Sequence, residues 1–429
     1  MSEAPEHPRD PIGWHAALAL GFVILCFVRI TIPTKAYFDE VHYLPAARAW
    51  LDLVMPTNIE HPPLGKEILA LGMALFGDRP FGWRILPVLF GGLGLFAGMR
   101  ALWFASLSRF ASLAGGFLVA TGFMWFVQSR IAMLDIFMAC FVMLALWALA
   151  GAVREHETAR KRFAIAGVCL GLAMASKWNA IPIAMLPGMA FVAIRAREAG
   201  WRVVTAHRGA PVAGMTTWEA ALWLGVVPLL AYAACYLPGL AFAQQAYSLS
   251  PFAENGIFGI HQVMLERQEQ QVPSHTYQST WTEWVRNWRA IWYFYENFDG
   301  AQRGILLLGN PLTMLLGLPA LAWTGWMGIA HGRRDALALF VLYVASLALW
   351  IVAAKPVQFY YHYLLPGTFM LGALALGLDE MWQNRQRAAQ LALLAGSAAL
   401  FAYFLPILNA APLAGPMSFL DYAWLPSWR

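Results

Sequence analysis

Charge is what this sequence has least of. Only 12% of its 429 residues are Asp, Glu, Lys or Arg, half of the roughly one quarter that a soluble domain carries, so most of the surface must face something other than water. Cysteine is scarce as well. Cys26, Cys140, Cys169 and Cys235 each lie inside an apolar run without disulfide or metal spacing, and they read as small buried hydrophobes. The ten histidines form no HxxxH or HxH pair, so helical or strand-type metal-ligand spacing is missing and a tight metal site is not expected. A net charge of +5 comes without any dense basic stripe, which argues against a nucleic-acid surface. The polar start from Met1 to Gly13 has a lone Arg9, unlike the basic start of a cleavable signal, so the first apolar run is expected to stay as a helix. Internal repeats and low-complexity segments are absent.

What remains is apolar. Hydrophobic residues make up 60% and aromatics 14%, with 20 Trp, as expected of rings gathered at two membrane–water interfaces. A bilayer core of roughly 30 Å is crossed by about 20 apolar residues. Qualifying runs start near Trp14, Phe81, Phe110, Ile131, Phe163, Ala180, Trp218, Ile305, Ala336, Tyr363 and Ala389, which predicts about eleven transmembrane helices in one all-α integral membrane domain over residues 1–429. Alternate connections carry Arg100 and Arg109; Arg154, Arg160, Lys161 and Arg162; Arg195, Arg197, Arg202 and Arg208; Arg333 and Arg334; Arg385 and Arg387. Short basic connections belong in the cytoplasm. The two long connections, Ile32 to Pro80 (residues 32–80) and Leu240 to Arg303 (residues 240–303), then face the outside, the periplasm in a bacterium, and loops of that length are usually functional. Apolar residues at helical spacing from Tyr43 to Val54, and from Leu64 to Phe76 after Pro62-Pro63, predict two helices lying along the membrane surface. Trp281, Trp284, Trp288 and Trp292, spaced three, four and four, predict one helix face lined with indole rings.

Four groups of residues have the chemistry of a site. Asp39-Glu40 follows the first span: either the pair caps the next helix, or one acid is a general base while the other, pointing away, is held by a neighbour. His61-Pro62-Pro63-Leu64-Gly65-Lys66 is either a rigid turn with Lys66 snorkelling to water or a fixed backbone presenting His61 and Lys66. Arg84, Arg130 and Lys177 are cations at the outer ends of spans. Arg130 has Asp135 as a candidate partner, Lys177-Trp178 and Arg84 read equally as interfacial anchors, and a bound anion would explain all three together. Lys355, Gln358 and Tyr360-Tyr361-His362-Tyr363 sit between two late spans, where an aromatic belt is the default account. Asp39, Glu40, His42 and His61 could still assemble a weak divalent-cation site.

In this order, these residues resemble the protein O-mannosyltransferase family, the polyprenyl-phosphate-mannose–protein mannosyltransferases with the GT-C fold. The resemblance rests on Phe38-Asp39-Glu40, His61-Pro62-Pro63-Leu64-Gly65-Lys66, Trp83-Arg84 leading to Leu89-Phe90-Gly91, Ser129-Arg130, Leu134-Asp135 and Ser176-Lys177-Trp178. It continues through His275-Thr276-Tyr277-Gln278-Ser279, the aromatic stretch to Tyr295, Leu308-Gly309-Asn310-Pro311 and Tyr363-Leu364-Leu365-Pro366. Two departures stand out: no lectin-like block interrupts the second outer loop, and Leu312-Thr313-Met314 replaces the paired tryptophans frequent in the family. The resemblance implies an inverting transfer of mannose from a polyprenyl phosphate donor to Ser or Thr of an acceptor protein or peptide, in the bacterial inner membrane, with the site facing outward. It implies Asp39 and Glu40 as the catalytic acids and Arg84, Arg130 and Lys177 at the donor phosphate. His61, Lys66, Asp135, Tyr361 and His362 would orient substrate, with no resident metal. The alternatives are a GT-C transferase acting on a lipid or cell-wall glycan, and a lipid-linked sugar transporter, which should carry its ionisable residues at the midplane.

Overall fold

The computed structural model describes residues 9–54, 57–241, 256–270, 273–352, 355–385 and 387–429. The central part of the second long loop, 242–255 and 271–272, falls outside them. In chain order the helices are α1 (Ile12–Phe27), α2 (Glu40–Leu51), α3 (Leu64–Phe76), α4 (Pro80–Ser106), α5 (Arg109–Ala120), α6 (Met124–Gln128), α7 (Asp135–Arg154), α8 (Ala159–Ser176), α9 (Ile181–Ala199), α10 (Thr217–Ala221), α11 (Val227–Ala234), α12 (Leu237–Ala241), α13 (Gly256–Glu269) and α14 (Trp281–Val285). A hairpin of β1 (Ile291–Phe298) and β2 (Ala301–Leu307) precedes α15 (Pro311–His331), α16 (Arg334–Val352), α17 (Leu364–Gln383) and α18 (Arg387–Leu408).

Eight helical segments among the described residues are long and apolar enough to cross a membrane. Three further helices stand where spans were expected: α1 and α5, with 16 and 12 residues, and α8, whose first turn carries Arg160, Lys161 and Arg162. Their starts follow local rules. Pro80 and Pro311 occupy first helical positions, where a missing N–H costs nothing. The Ser108 hydroxyl accepts from the Ala111 N–H at 3.0 Å, and the Asn310 side chain accepts from the Leu312 N–H at 3.2 Å. Small residues then let backbones meet. A Cβ at Gly167 would lie 2.1 Å from the Trp223 carbonyl oxygen, and one at Gly171 2.3 Å from that of Pro228, so this small-xxx-small face of α8 admits the segment continuing into α11 at backbone distance.

Three expectations need correction. The chain is mostly helical rather than all-α, because β1 and β2 pair antiparallel from Ile291↔Leu307 to Phe298↔Ala301. Asp299-Gly300 closes the hairpin with φ of +51° and +76°, the two-residue turn whose twist matches that of the strands. The span expected from Ile305 therefore begins only at Pro311. The four-tryptophan helix does not form either: α14 ends at Val285, Asn287 takes φ +52°, and Trp292 belongs to β1. Trp284 is fully buried rather than an interfacial anchor. It docks edge-on against Trp350, with ring centroids 5.8 Å apart.

The hairpin lies under the first long loop and grips it. The Asp299 carboxylate accepts from the Thr34 N–H at 2.8 Å and from its hydroxyl at 2.6 Å, and Lys35 meets Glu296 at 2.6 Å. The C-terminal segment closes the other side, where the Trp292 indole donates to the Trp428 carbonyl and the Trp428 indole to that of Asn287. Asp39 therefore stands on a loop clamped from beneath.

Candidate active site

One end of the bundle gathers the polar groups. The end of α1, the starts of α2, α4, α7 and α17, and the end of α8 all arrive there, while Arg100, Arg154, Arg160 and Arg195 lie at the opposite ends of their helices. Asp39 and Glu40 part company at the first turn of α2. Glu40 is fully buried and its two oxygens take the Arg84 guanidinium at 2.8 Å each. It also accepts from the backbone N–H of Ala132 at 3.0 Å. The remaining Arg84 donors go to the carbonyls of Ile30, Pro33 and Lys35 at 3.2, 2.7 and 3.0 Å. All the donor capacity of a guanidinium is thereby used. This corrects two expectations: Arg84 has no donor left for a phosphate, and Glu40 has no lone pair facing a substrate. Together they fix the loop.

Arg130 is likewise turned away. It donates to the Cys26 carbonyl near the end of α1, lies over the Phe126 ring at 5.1 Å, and does not pair with Asp135. Its carbonyl side faces Tyr37, whose ring also covers Arg84 at 4.8 Å. Arg130 closes an orphaned helix end, a structural duty of a cation.

Asp135 belongs instead to Lys177, whose ammonium meets both carboxylate oxygens at 2.9 and 2.8 Å in a fully buried pair. Lys177 also sits over the Tyr361 ring at 4.9 Å. The Tyr361 hydroxyl lies close enough to Asp39 to favour its charged form. Asp39, Lys177, Asp135 and Tyr361 thus form one group, drawn from the first loop, the end of α8, the start of α7 and the 3-10 turn Tyr360–Tyr363 before α17. Burial pushes the Asp39 carboxyl up to about 6, Asp135 adds to the rise, and the charge of Lys177 opposes it. An acid so placed is ionised at neutral pH and still basic enough to take a proton.

The backbone that aims Asp39 is strained. Phe38 takes φ +50°, a left-handed conformation that costs a residue with a Cβ roughly 1–2 kcal/mol. Its ring stacks on Tyr293 at 4.0 Å and meets Phe359 and Tyr361 edge-on. Such stacking contributes roughly 0.5–1.5 kcal/mol, enough to offset much of the strain.

His61 and Lys66 are both drawn in. Lys66 does not snorkel: it is buried, and its ammonium donates to the carbonyls of Asn58 and His61 at 2.7 Å each. Burial pulls its pKa down to about 7. It braces the Pro62-Pro63 turn rather than presenting a charge to substrate, which corrects its expected role. The His61 ring packs beside Tyr43 with 6.0 Å between centroids, and burial holds the imidazole well below its ordinary pKa, hence neutral. His362 stacks on Trp350 at 3.8 Å, and its Nδ1 accepts from the Phe359 N–H. Among the described residues no three His, Cys, Asp or Glu side chains converge to hold a metal ion. The proposed weak set loses Glu40 to Arg84.

A small cavity beside this group is lined by Asp135, Asn179, Ser346, Trp350, Tyr361 and His362. Asn179, Trp350 and Tyr293 were not singled out from the sequence. Asn179 sits one residue beyond Ser176-Lys177-Trp178, and its place in that turn was the available signal. Trp350, near the end of a span, reads as one more belt tryptophan.

Residues 60–223 match the model of the dolichyl-phosphate-mannose-protein mannosyltransferase family, and residues 254–428 match that of the C-terminal four-helix transmembrane region of protein O-mannosyltransferases. Over 98% of this chain and 94% of the relative, the sequence is 28% identical to the polyprenol-phosphate-mannose–protein mannosyltransferase of Corynebacterium glutamicum. The fold is similar to that of the S. cerevisiae protein O-mannosyltransferase Pmt1–Pmt2 complex bound to the sugar donor, with a TM-score of 0.80 at 13% identity, covering 98% of this chain and 93% of that one. It is also similar to ArnT from Cupriavidus metallidurans bound to undecaprenyl phosphate, with a TM-score of 0.62 at 18% identity over 92% of this chain and 65% of that one.

Proposed function

From the premise that this chain belongs to the protein O-mannosyltransferase family and has a GT-C fold, we propose that it moves mannose from a polyprenyl phosphate to Ser or Thr hydroxyls of exported proteins, with Asp39 as the general base. The observation that carries the reading is the group at the converging helix ends: a carboxyl held near 6 beside the buried Lys177–Asp135 pair and Tyr361. The basic connections at the opposite end support the reading that this group faces the outer side of a bacterial inner membrane.

The chemistry asks for little more. The Asp39 carboxylate takes the acceptor hydroxyl proton as the oxygen attacks the anomeric carbon, and the bond from that carbon to the phosphate oxygen breaks with its electron pair leaving on the phosphate. Attack opposite the departing group inverts the carbon. Phosphate is a good leaving group, so no acid is required there, in contrast to glycoside hydrolysis with its two carboxylates. Of the three cations expected at the phosphate, Lys177 shares the recess with Asp39. Asp135 occupies two of its hydrogen-bond directions, and an ammonium has a third. Neutral His61, with Tyr361 and His362, orients sugar or acceptor.

The test is incubation of the purified protein in nanodiscs with polyprenyl phosphate mannose and Ser/Thr-rich peptides, read by mass spectrometry. A hexose on a peptide hydroxyl is the expected product. Transfer to lipid alone would replace the acceptor assignment with a glycolipid one, and movement of intact donor without transfer would make the protein a carrier.

A further inference from the structure

Helix α13 of the second outer loop has no task in the reaction as described, yet it is fastened to the site near both of its ends. Its Ile260 and Met264 pack against Tyr236, just beyond α11, with Trp178 on one side and Trp50 and Ile59 of the first loop on another. In its second turn the His261 Nε2 meets the Tyr232 hydroxyl at 2.7 Å, and the Nδ1 meets the Ile257 carbonyl at 2.7 Å. A carbonyl can only accept, so Nδ1 carries the proton and Nε2 accepts from Tyr232. The Tyr232 oxygen accepts in turn from the Trp178 indole at 2.9 Å. The imidazole also lies nearly parallel to that indole, at 21° with 6.0 Å between centroids. Near the other end of α13, the Gln268 side chain donates to the carbonyl of Glu60.

Both anchors are chain neighbours of site residues. Trp178 follows Lys177 and opens the 3-10 turn Trp178–Ala180, whose Asn179 lines the cavity. Lys177 itself has extended backbone between α8 and that turn, so α8 alone does not aim its ammonium at Asp135. Glu60 precedes His61, whose carbonyl accepts from Lys66. Helix α13 therefore joins the turn that aims Lys177 to the loop that carries His61. We propose that α13 is a brace across the recess and that His261 is its fastening, a positioning residue for sugar transfer that acts through Tyr232 and Trp178 on Lys177. This rests on the mannosyltransferase reading and gives a helix of the second outer loop a part in it. Reacting groups brought together from separate elements lose rate steeply when one of them is misplaced, and a hydrogen bond among packed rings limits that freedom.

The experiment measures kcat, donor KM and acceptor KM in nanodiscs, with amide hydrogen exchange on the same samples. The proteins are the wild type, His261→Phe, His261→Gln, Tyr232→Phe, the His261→Phe/Tyr232→Phe double variant and Gln262→Ala. His261→Phe keeps a ring beside Trp178 and loses the bond to Tyr232. It should lower kcat by about 3- to 10-fold, the scale of one hydrogen bond, leave acceptor KM within about twofold, and speed exchange in residues 256–269 and 177–180 but not in α7. His261→Gln offers Tyr232 an acceptor again and should recover much of the rate. The double variant should lose no more than Tyr232→Phe alone, because the shared bond is already gone. Gln262 is exposed and bonds Glu266 on its own helix, so Gln262→Ala should match the wild type. Two results overturn the assignment: a His261→Phe protein with wild-type kcat, even one that melts lower, or single-variant losses that multiply in the double. A wild type that transfers no mannose would refute the function instead, and the exchange comparison would still decide whether His261 ties α13 to the Lys177 turn.

Discussion

Replacing Asp39 by Asn should move activity and stability in opposite directions. The Asp39 carboxyl is raised from its ordinary 3.8 to about 6 by burial and by Asp135, so folding works against its ionised form. Below about pH 4 the group is protonated in both folded and unfolded chains and contributes nothing. Between 4 and 6 the folded chain keeps a proton that the unfolded chain has lost, and wild-type stability declines as pH rises. Above 6 both are ionised and the whole penalty is present: roughly 3 kcal/mol at about 1.4 kcal/mol per pH unit, and nearer 1–2 kcal/mol for a side chain that keeps some contact with water. An amide has no such penalty. At pH 8 the Asp39→Asn protein should therefore melt above the wild type by a degree or more, and at pH 4 the two should coincide. Transfer should fall by about 10²–10⁴-fold, the contribution of a positioned base. The assays are thermal unfolding in detergent at pH 4, 6 and 8, and hexose transfer followed by mass spectrometry. Transfer within tenfold of wild type would remove the base; a lower melting point at pH 8 would show that the recess stabilises the charge rather than opposing it.

The neighbouring acid should behave in the contrary way. Glu40→Gln leaves the fully buried Arg84 without its counter-charge, a loss of about 3–5 kcal/mol, so the protein should unfold on extraction; a Glu40→Gln protein with wild-type melting and no transfer would make Glu40 chemical after all. Tyr361→Phe removes a hydroxyl whose proximity lowers the Asp39 pKa, so the acid limb of kcat/KM should move from near 6 to higher pH, and an unmoved limb would break the link. Asp299→Ala frees Thr34 from two hydrogen bonds at the hairpin tip, each contributing about 1 kcal/mol. Transfer should drop several-fold with a small change in melting, whereas unchanged transfer would show that the hairpin does not hold the Asp39 loop.

The apolar helices were legible because a bilayer imposes one length and one composition: each expected run from Trp14 to Ala389 is met by a helix at or near its start, and eight helical segments among the described residues are long and apolar enough to cross a membrane. The two short helices α2 and α3 followed from period and from Pro62-Pro63 in the same way. The hairpin was not seen, although Asp299-Gly300 between aromatic and β-branched residues is a strong local signal. The tryptophan spacing from 281 to 292 fits a helix equally well, and only the left-handed Asn287 breaks it. Residue type told where ionisable groups lie along the chain, but not which partner each one finds. Arg84, Arg130 and Lys177 look alike in sequence; burial against Glu40, the Cys26 carbonyl and Asp135 sends them to different tasks. Asn179 lies beyond reading of that kind, since its place beside Asp135 and His362 depends on how α7 and α17 pack.

Two consecutive acids can carry opposite duties because the backbone between them turns sharply. Phe38 enters α2 left-handed, which swings Glu40 down into Arg84 and leaves Asp39 beside Tyr361 and Lys177. The pair with Arg84 ties the carbonyls of Ile30, Pro33 and Lys35 into one knot, and the hairpin tip secures Thr34 next to it. The first carboxylate is thereby held at the mouth of the recess by interactions in which it takes no part. Such a separation suits the role proposed for Asp39, since a base changes protonation in every turnover: its loop does not loosen when its charge is lost, because the charge that fixes the loop belongs to Glu40.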